Sequence, residues 1–207
     1  MNVVHQSDLD ILNSPARILI SGFSNSGKTY LVSKLLEKYI SSFESVKVCG
    51  VPTIGFEHKK ISYKESDYNP LEDDELEGAT LVIYDDCMLD EKVLKVSANI
   101  FSKGRHKLIS CIFITQNLFL PSKYFRVISL NASHVIVFKI RDISQISYFA
   151  RTFLESSKQK LFLDQYRKNV TNKKYGYLLI DFSKGTDSNL FIRKNLYGKE
   201  YERTIIL

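Results

Sequence analysis

Eight residues, GFSNSGKT at 22–29, join a short apolar run, ARILIS at 16–21, to a segment whose apolar residues Leu31, Leu35, Leu36, Tyr39 and Ile40 recur at spacings of three and four. The apolar run reads as a buried strand, and the spacing reads as an amphipathic helix over 29–43. A strand that feeds straight into a helix commits the chain to a βα unit, whose next strand returns parallel on the same sheet. The turn between them fits G-x-x-x-x-G-K-[ST], with glycines where the backbone must bend and Lys28 and Thr29 opening the helix. In such a turn the N–H groups from Asn25 to Thr29 converge on one point and the positive end of the helix adds to them, an arrangement suited to a phosphate.

The rest of the chain repeats the alternation. Apolar runs at 46–51, 79–84, 108–115 and 134–140 read as further strands, and ATLVIY at 79–84 is apolar throughout, as expected of a parallel strand covered on both faces. Asp90 is placed to cap a helix running to Ser102 that Gly104 ends, and Asp142 to cap a long amphipathic helix through Ile146, Phe149, Ala150, Phe153 and Leu154, broken near Ser156 and Ser157. Residues 175–182 and 190–193 read as an antiparallel addition. The pattern predicts an α/β fold with a parallel sheet wrapped on both sides. At 207 residues it suits a single domain over 1–207, with a core of about 16–182 and a strand extension over 183–207. The acidic stretch 65–77 reads as a surface excursion.

Three cysteines, Cys49, Cys87 and Cys111, stand singly in apolar surroundings without CxxC spacing, which argues for buried reduced thiols over a disulfide framework or a zinc site. The first residues, MNVVHQSDLDIL, lack the cationic start and apolar block of a secretory signal, and no eighteen-residue apolar run occurs, so the expectation is a soluble, cytosolic protein. Net charge is +6 but uneven: residues 65–91 hold eleven acidic and no basic residues, leaving the remainder with 29 basic against twelve acidic. Residues 92–207 alone carry 21 basic and seven acidic residues. Such a surplus is either a solvated basic face or an electrostatic footprint for a polyanion such as nucleic acid.

A triphosphate site needs a metal and a group that handles the attacking water, so a second acidic site should close another buried strand. LVIYDDC supplies it: Asp85 is placed to hold Mg²⁺ together with Thr29, and Asp86 to orient or deprotonate water. The next strand, CIFITQN, ends in Thr115, Gln116 and Asn117, where an amide can sense the terminal phosphate. Gly22, Ser24, Asn25, Ser26, Gly27, Lys28 and Thr29 are the candidate ATP contacts, with Lys28 reaching the β- and γ-phosphates. Arg105 and Arg126 are candidates for stabilising charge on the transferred phosphoryl group, and equally for DNA contacts or solvated surface arginines.

GFSNSGKT, LVIYDDC, GRHKLISCIFITQN, ISLNASHVIVFKIRDISQISYFAR and YGYLLIDF, taken in this order, resemble the FtsK/HerA superfamily of P-loop ATPases, and within it the genome-packaging ATPases of double-jelly-roll DNA viruses of the poxvirus-like, adintovirus and Polinton groups. The resemblance implies a three-layer P-loop NTPase fold of the ASCE/RecA-like type, with an extra strand between the P-loop strand and the strand of Asp85, sheet order 5-1-4-3-2, and C-terminal antiparallel strands. It implies that Gln116 faces the γ-phosphate, that Arg105 acts in trans as an arginine finger with Arg126 in reserve, and that ATP and Mg²⁺ are the cofactors. The implied partners are double-stranded DNA, a homo-oligomeric ring of five or six subunits, and a capsid or portal vertex protein, with no membrane. The implied location is the cytoplasm or nucleus of an infected cell, or the virion, without secretion. Asp86 departs from the wider superfamily, where glutamate is common at this place. Lys103, Lys107, Lys123 and Lys139 are the candidate pore lysines.

A nucleoside or nucleotide kinase shares the P-loop and the size, but no arginine cluster reads as a lid. A GTPase would need Asp-x-x-Gly after the third strand, which is missing, and TNKKY at 171–175 lacks the guanine-reading aspartate. A nucleotide-dependent interaction protein without motor activity would leave Asp86 and Gln116 idle.

Overall fold

The βα unit forms where the sequence places it. In the computed structural model, which describes residues 11–12, 15–50, 55, 57–183 and 191–194, β1 (Arg17–Ser21) leads through the glycine-rich turn into α1 (Lys28–Tyr39). Next in the chain are β2 (Ser45–Cys49), β3 (Ile61–Lys64), β4 (Thr80–Tyr84), α2 (Glu91–Lys103), β5 (Ile109–Thr115), α3 (Lys123–Asn131), β6 (His134–Phe138), α4 (Ile143–Phe153), α5 (Ser156–Tyr166), β7 (Tyr177–Asp181) and β8 (Ile192–Arg193). A 3₁₀ turn, Gly104–Lys107, links α2 to β5, and a π-helical turn, Arg167–Thr171, extends α5.

The strands form one sheet in the order β3-β2-β4-β5-β1-β6-β7-β8. The first six in that order pair in parallel, while β7 and β8 add antiparallel. Counting only the five strands read from the sequence, the order β6-β1-β5-β4-β2 is the expected 5-1-4-3-2 arrangement, with β5 inserted between β1 and β4. One correction is needed at the edge: β3 pairs beside β2, so the segment before the acidic stretch is part of the sheet. The acidic stretch itself is pinned, since Tyr84 Oη donates to the Tyr68 carbonyl at 2.6 Å and Lys107 Nζ donates to the Leu71 carbonyl at 2.8 Å.

Alternation in β1 explains the layering. Ile18 and Ile20 face a core with Leu31, Val32, Leu35 and Leu36 of α1, while Leu19 faces the opposite core with α2, α3, α4 and α5. Each fully buried side chain of this kind contributes roughly 1.5–3 kcal/mol. Residues of β4 and β5 are buried without exception, as strands covered on both faces should be.

Capping fixes where the helices begin. Asp90 accepts hydrogen bonds from the Lys92 and Val93 amides, and Asp142 from the Ser144 amide at 3.0 Å. The expected break near 156 is the gap between α4 and α5. Two further readings are corrected. Residues 123–131 form α3, which the sequence did not reveal, and β7 starts at Tyr177, leaving Tyr175 in a turn. Residues 184–190 and 195–207 of the expected strand extension lie outside the described residues. All three cysteines are buried and free. Burial pushes the Cys49 thiol up to about 12 and Cys87 to about 11, which suppresses their reactivity. Among the described residues, no helix is long and apolar enough to cross a membrane.

Candidate active site

The carboxyl ends of β4, β5 and β1 lie side by side, because the register matches Tyr84 with Phe113 and Thr115 with Ser21. The loops leaving these strands therefore gather on one rim, as is general for ligand sites of open α/β sheets. The loop that leaves β1 is the turn 22–29. The Gly22 amide donates to the Thr115 carbonyl at 3.1 Å and the Phe23 amide to the Lys139 carbonyl at 3.0 Å, which bind the turn to its two flanking strands. A side chain at Gly22 would lie 2.5 Å from Phe138 Cβ and 2.7 Å from Ser26 Oγ, so the close approach demands glycine. Asn25 at φ 63° and Gly27 at φ 103° take left-handed conformations that turn neighbouring amides inward, the geometry of an anion-binding nest.

Lys28 Nζ curls over the turn and donates to the carbonyls of Gly22 at 2.7 Å and Phe23 at 3.0 Å. Burial lowers its pKa from the ordinary lysine value, while the charges of Asp85 and Asp86 pull the other way. The ammonium thus belongs electrostatically to the same site as the acidic pair.

Asp85 closes β4, is 7% exposed, and its amide donates to the Cys49 carbonyl at 3.2 Å. Asp86 is exposed and sits at φ 55°, a conformation that aspartate tolerates better than most residues. Gln116, one residue past β5, donates from Nε2 to Asp86 Oδ1 at 3.1 Å. Beside them the Thr115 hydroxyl donates to the Asn117 carbonyl at 3.1 Å, with Met88 Sδ 3.4 Å away, anchoring the strand tip. The structure therefore joins Asp86 to Gln116 and sets both acids in the field of Lys28.

Among the described residues no cluster of three or more His, Cys, Asp or Glu could cage a metal ion. A hydroxyl at Thr29 and a carboxylate at Asp85 are hard oxygen donors, too few for a protein cage. They suit a Mg²⁺ that takes its other ligands from phosphate and water.

Arg105 is not brought to this rim. It lies exposed in the 3₁₀ turn before β5 and, after burial, its charge is what lowers the pKa of Arg17 at the start of β1. The seven residues of β5 separate it from Gln116, about 20 Å along the strand. Arg126 is exposed on α3. Of the other candidates, Lys107 is bonded to Leu71, Lys123 lies 5.0 Å from the Tyr124 ring, and Lys139 donates to the Thr171 carbonyl at 3.4 Å beside the glycine-rich turn.

Sequence reasoning missed the wall opposite that turn. A cleft of about 470 Å³ runs between Phe23, Asn25 and Ser26 on one side and Lys139 with residues 171–176 on the other. Its signal in the sequence was the polar turn ending in Tyr175 and Gly176, a pattern without a distinctive spacing.

Sheet order, turn and acidic strand end together define a P-loop NTPase fold. No family model matches the chain, and no curated protein matches it significantly. Solved structures do. The DNA-packaging ATPase B204 of Sulfolobus Turreted Icosahedral Virus aligns with a TM-score of 0.57 at 17% identity, covering 82% of this chain and 94% of that one. The genome packaging NTPase B204 of Sulfolobus turreted icosahedral virus 2 aligns in complex with ATP-gammaS at TM-score 0.57 and 16% identity, covering 82% and 94%. Its complex with sulfate aligns at 0.56 and 15%, covering 87% and 96%. At such identities the likeness is one of fold.

Proposed function

We propose that the chain is an ATPase that drives double-stranded DNA into a viral capsid. The observation that carries the hydrolytic part is the Gln116–Asp86 hydrogen bond on the same rim as Lys28. Support for the packaging part comes from the fold shared with the B204 packaging NTPases and from the basic surplus outside 65–91, which suits a phosphate backbone gripped without reading its sequence.

In this reading the amides of 25–29 cradle the β-phosphate and Lys28 exchanges its two carbonyl partners for phosphate oxygens. Thr29 and Asp85 would hold a Mg²⁺, which would supply neutralisation of charge on the phosphates. Asp86 accepts the proton of the attacking water, and Gln116, already bonded to Asp86, orients that water against the terminal phosphate. Arg105 stands about 20 Å from Gln116 along β5, too far to act within its own chain, so its role in this reading is to complete the site of a neighbouring subunit in a homo-oligomeric ring, with Arg126 in reserve. The FtsK/HerA viral branch, the capsid or portal partner and the infected-cell setting belong to the same proposal.

The deciding experiment measures ATP hydrolysis with and without long double-stranded DNA. Turnover that DNA stimulates is expected; absence of turnover in both conditions removes the motor. Supplying nucleosides and nucleoside monophosphates in parallel tests the kinase alternative, for which no phosphorylated product is expected.

A further inference from the structure

The cleft beside the glycine-rich turn has the makings of a second half to the nucleotide site. Asn25 and Ser26 form part of the phosphate cradle and also part of the cleft wall, so the two are continuous. Across from them stands Tyr175, whose backbone takes φ 60°. For a bulky residue this conformation costs of order 1 kcal/mol or more, and strain of this kind persists where the surroundings impose it. Core burial does not explain the residue, because it is 57% exposed. Its ring instead lies against the turn: a Cβ built on Gly27 would be 3.3 Å from Tyr175 Cδ1 and 3.4 Å from its Cβ.

Two hydroxyls in this wall lack partners. Ser26 is 5% exposed and its Oγ is buried without a hydrogen bond, and Thr171 Oγ1 is likewise buried and unmatched. Buried polar atoms are normally satisfied, so such a pair marks a place where a further polar group is expected. The charge suits a nucleotide as well: three lysines, Lys139, Lys173 and Lys174, line the cleft and no carboxylate does, and the Lys174 ammonium lies 5.1 Å from the centre of the Tyr175 ring.

We propose that the nucleoside half of the bound nucleotide lies in this cleft, with its base stacked on the exposed ring of Tyr175 and its ribose beside Ser26 and Thr171. The proposal rests on the phosphate site assigned above and adds to it the surface that distinguishes a nucleotide from a bare polyphosphate. An aromatic face reads the π-surface of a base, so affinity gained here depends on a base being present.

The test compares equilibrium binding of ATP with binding of inorganic tripolyphosphate. Wild-type protein should bind ATP more tightly than tripolyphosphate. Tyr175→Ala, which keeps a non-glycine residue at the left-handed position, should weaken ATP binding about tenfold, in keeping with a lost base–aromatic stack, and leave tripolyphosphate binding unchanged. Tyr175→Phe should restore the ATP affinity. Equal losses for both ligands would make Tyr175 a prop for Gly27 and overturn the proposal, as would no loss for either, or equal wild-type affinities for the two ligands. Wild-type protein that binds neither ligand would instead overturn the phosphate site itself.

Discussion

In the proposed reaction hydrolysis turns on Asp86 and Lys28, and the two carry separable burdens. Asp86 is exposed, left-handed and held by Gln116, so it contributes little to the fold and much to the orientation of its carboxylate. Asp86→Asn keeps the shape and the Gln116 contact but removes the basic oxygen. ATP binding should stay within about twofold while turnover falls roughly 10²–10³-fold, the usual worth of a positioned proton acceptor. Normal turnover in that variant would reassign the water to another group. Lys28→Ala should act earlier, weakening ATP binding by about tenfold or more through loss of charge-assisted bonds to phosphate. Calorimetric titration of both variants separates the two effects.

At the scale of elements, the antiparallel end of the sheet is locked by a buried polar cluster. The register sets His134 of β6 opposite Asp181 of β7, with His134 Nε2 at 3.5 Å from Asp181 Oδ1, while Arg193 of β8 pairs with Asp181 Oδ2. Burial alone would raise the Asp181 pKa, but the His134 and Ser183 interactions outweigh it and hold the carboxyl well below its usual range. A depressed folded pKa gives stability that is present above the unfolded value of about 3.9 and lost as pH falls through the folded one. Asp181→Asn should cost about 3–5 kcal/mol by depriving buried Arg193 of this carboxylate, and should flatten the loss of stability below about pH 4. Urea unfolding across pH checks both; an unchanged midpoint would mean the cluster is dispensable. Elements dominated by continuous apolar runs, such as β4 and β5, were legible in the sequence because burial on both faces leaves no other pattern, and the glycine-rich turn was legible because its spacing is its geometry. Less could be read where context decides. The stretch KYFRVISLN is rich in β-favouring side chains, and it becomes α3 through the Ser122 cap and packing against α2. In β3 a single sheet neighbour and half-exposed residues give no clean alternation. Tyr175 could be counted as the first residue of a strand because its left-handed φ, imposed by the turn before β7, has no signature in the residue type.

Over the whole molecule, the distribution of charge and the two ends of the sheet set what can bind and assemble. Acidic residues collect in 65–91 and basic ones elsewhere, so binding to long double-stranded DNA, if it accompanies the proposed role, should weaken steeply with salt. Titrations at several salt concentrations should give a log–log slope well below −1; a flat response would assign the surplus to solvation. If Arg105 completes a neighbour's site as proposed, Arg105→Ala subunits mixed into wild-type protein should depress ATP hydrolysis by more than their share, because each would supply a defective arginine to an otherwise intact neighbour. A strictly proportional loss would argue against action across an interface.

If Arg105 serves a neighbouring subunit as proposed, its separation from Gln116 by the length of β5 has a geometric corollary. The patch that lends a guanidinium and the patch that receives one are different parts of the surface, so copies joined lender to receiver form a head-to-tail procession. Completing every site then requires that the procession return to its starting member. An unclosed row always leaves its last member unfurnished, and specific activity should climb with protein concentration until closure makes it level off.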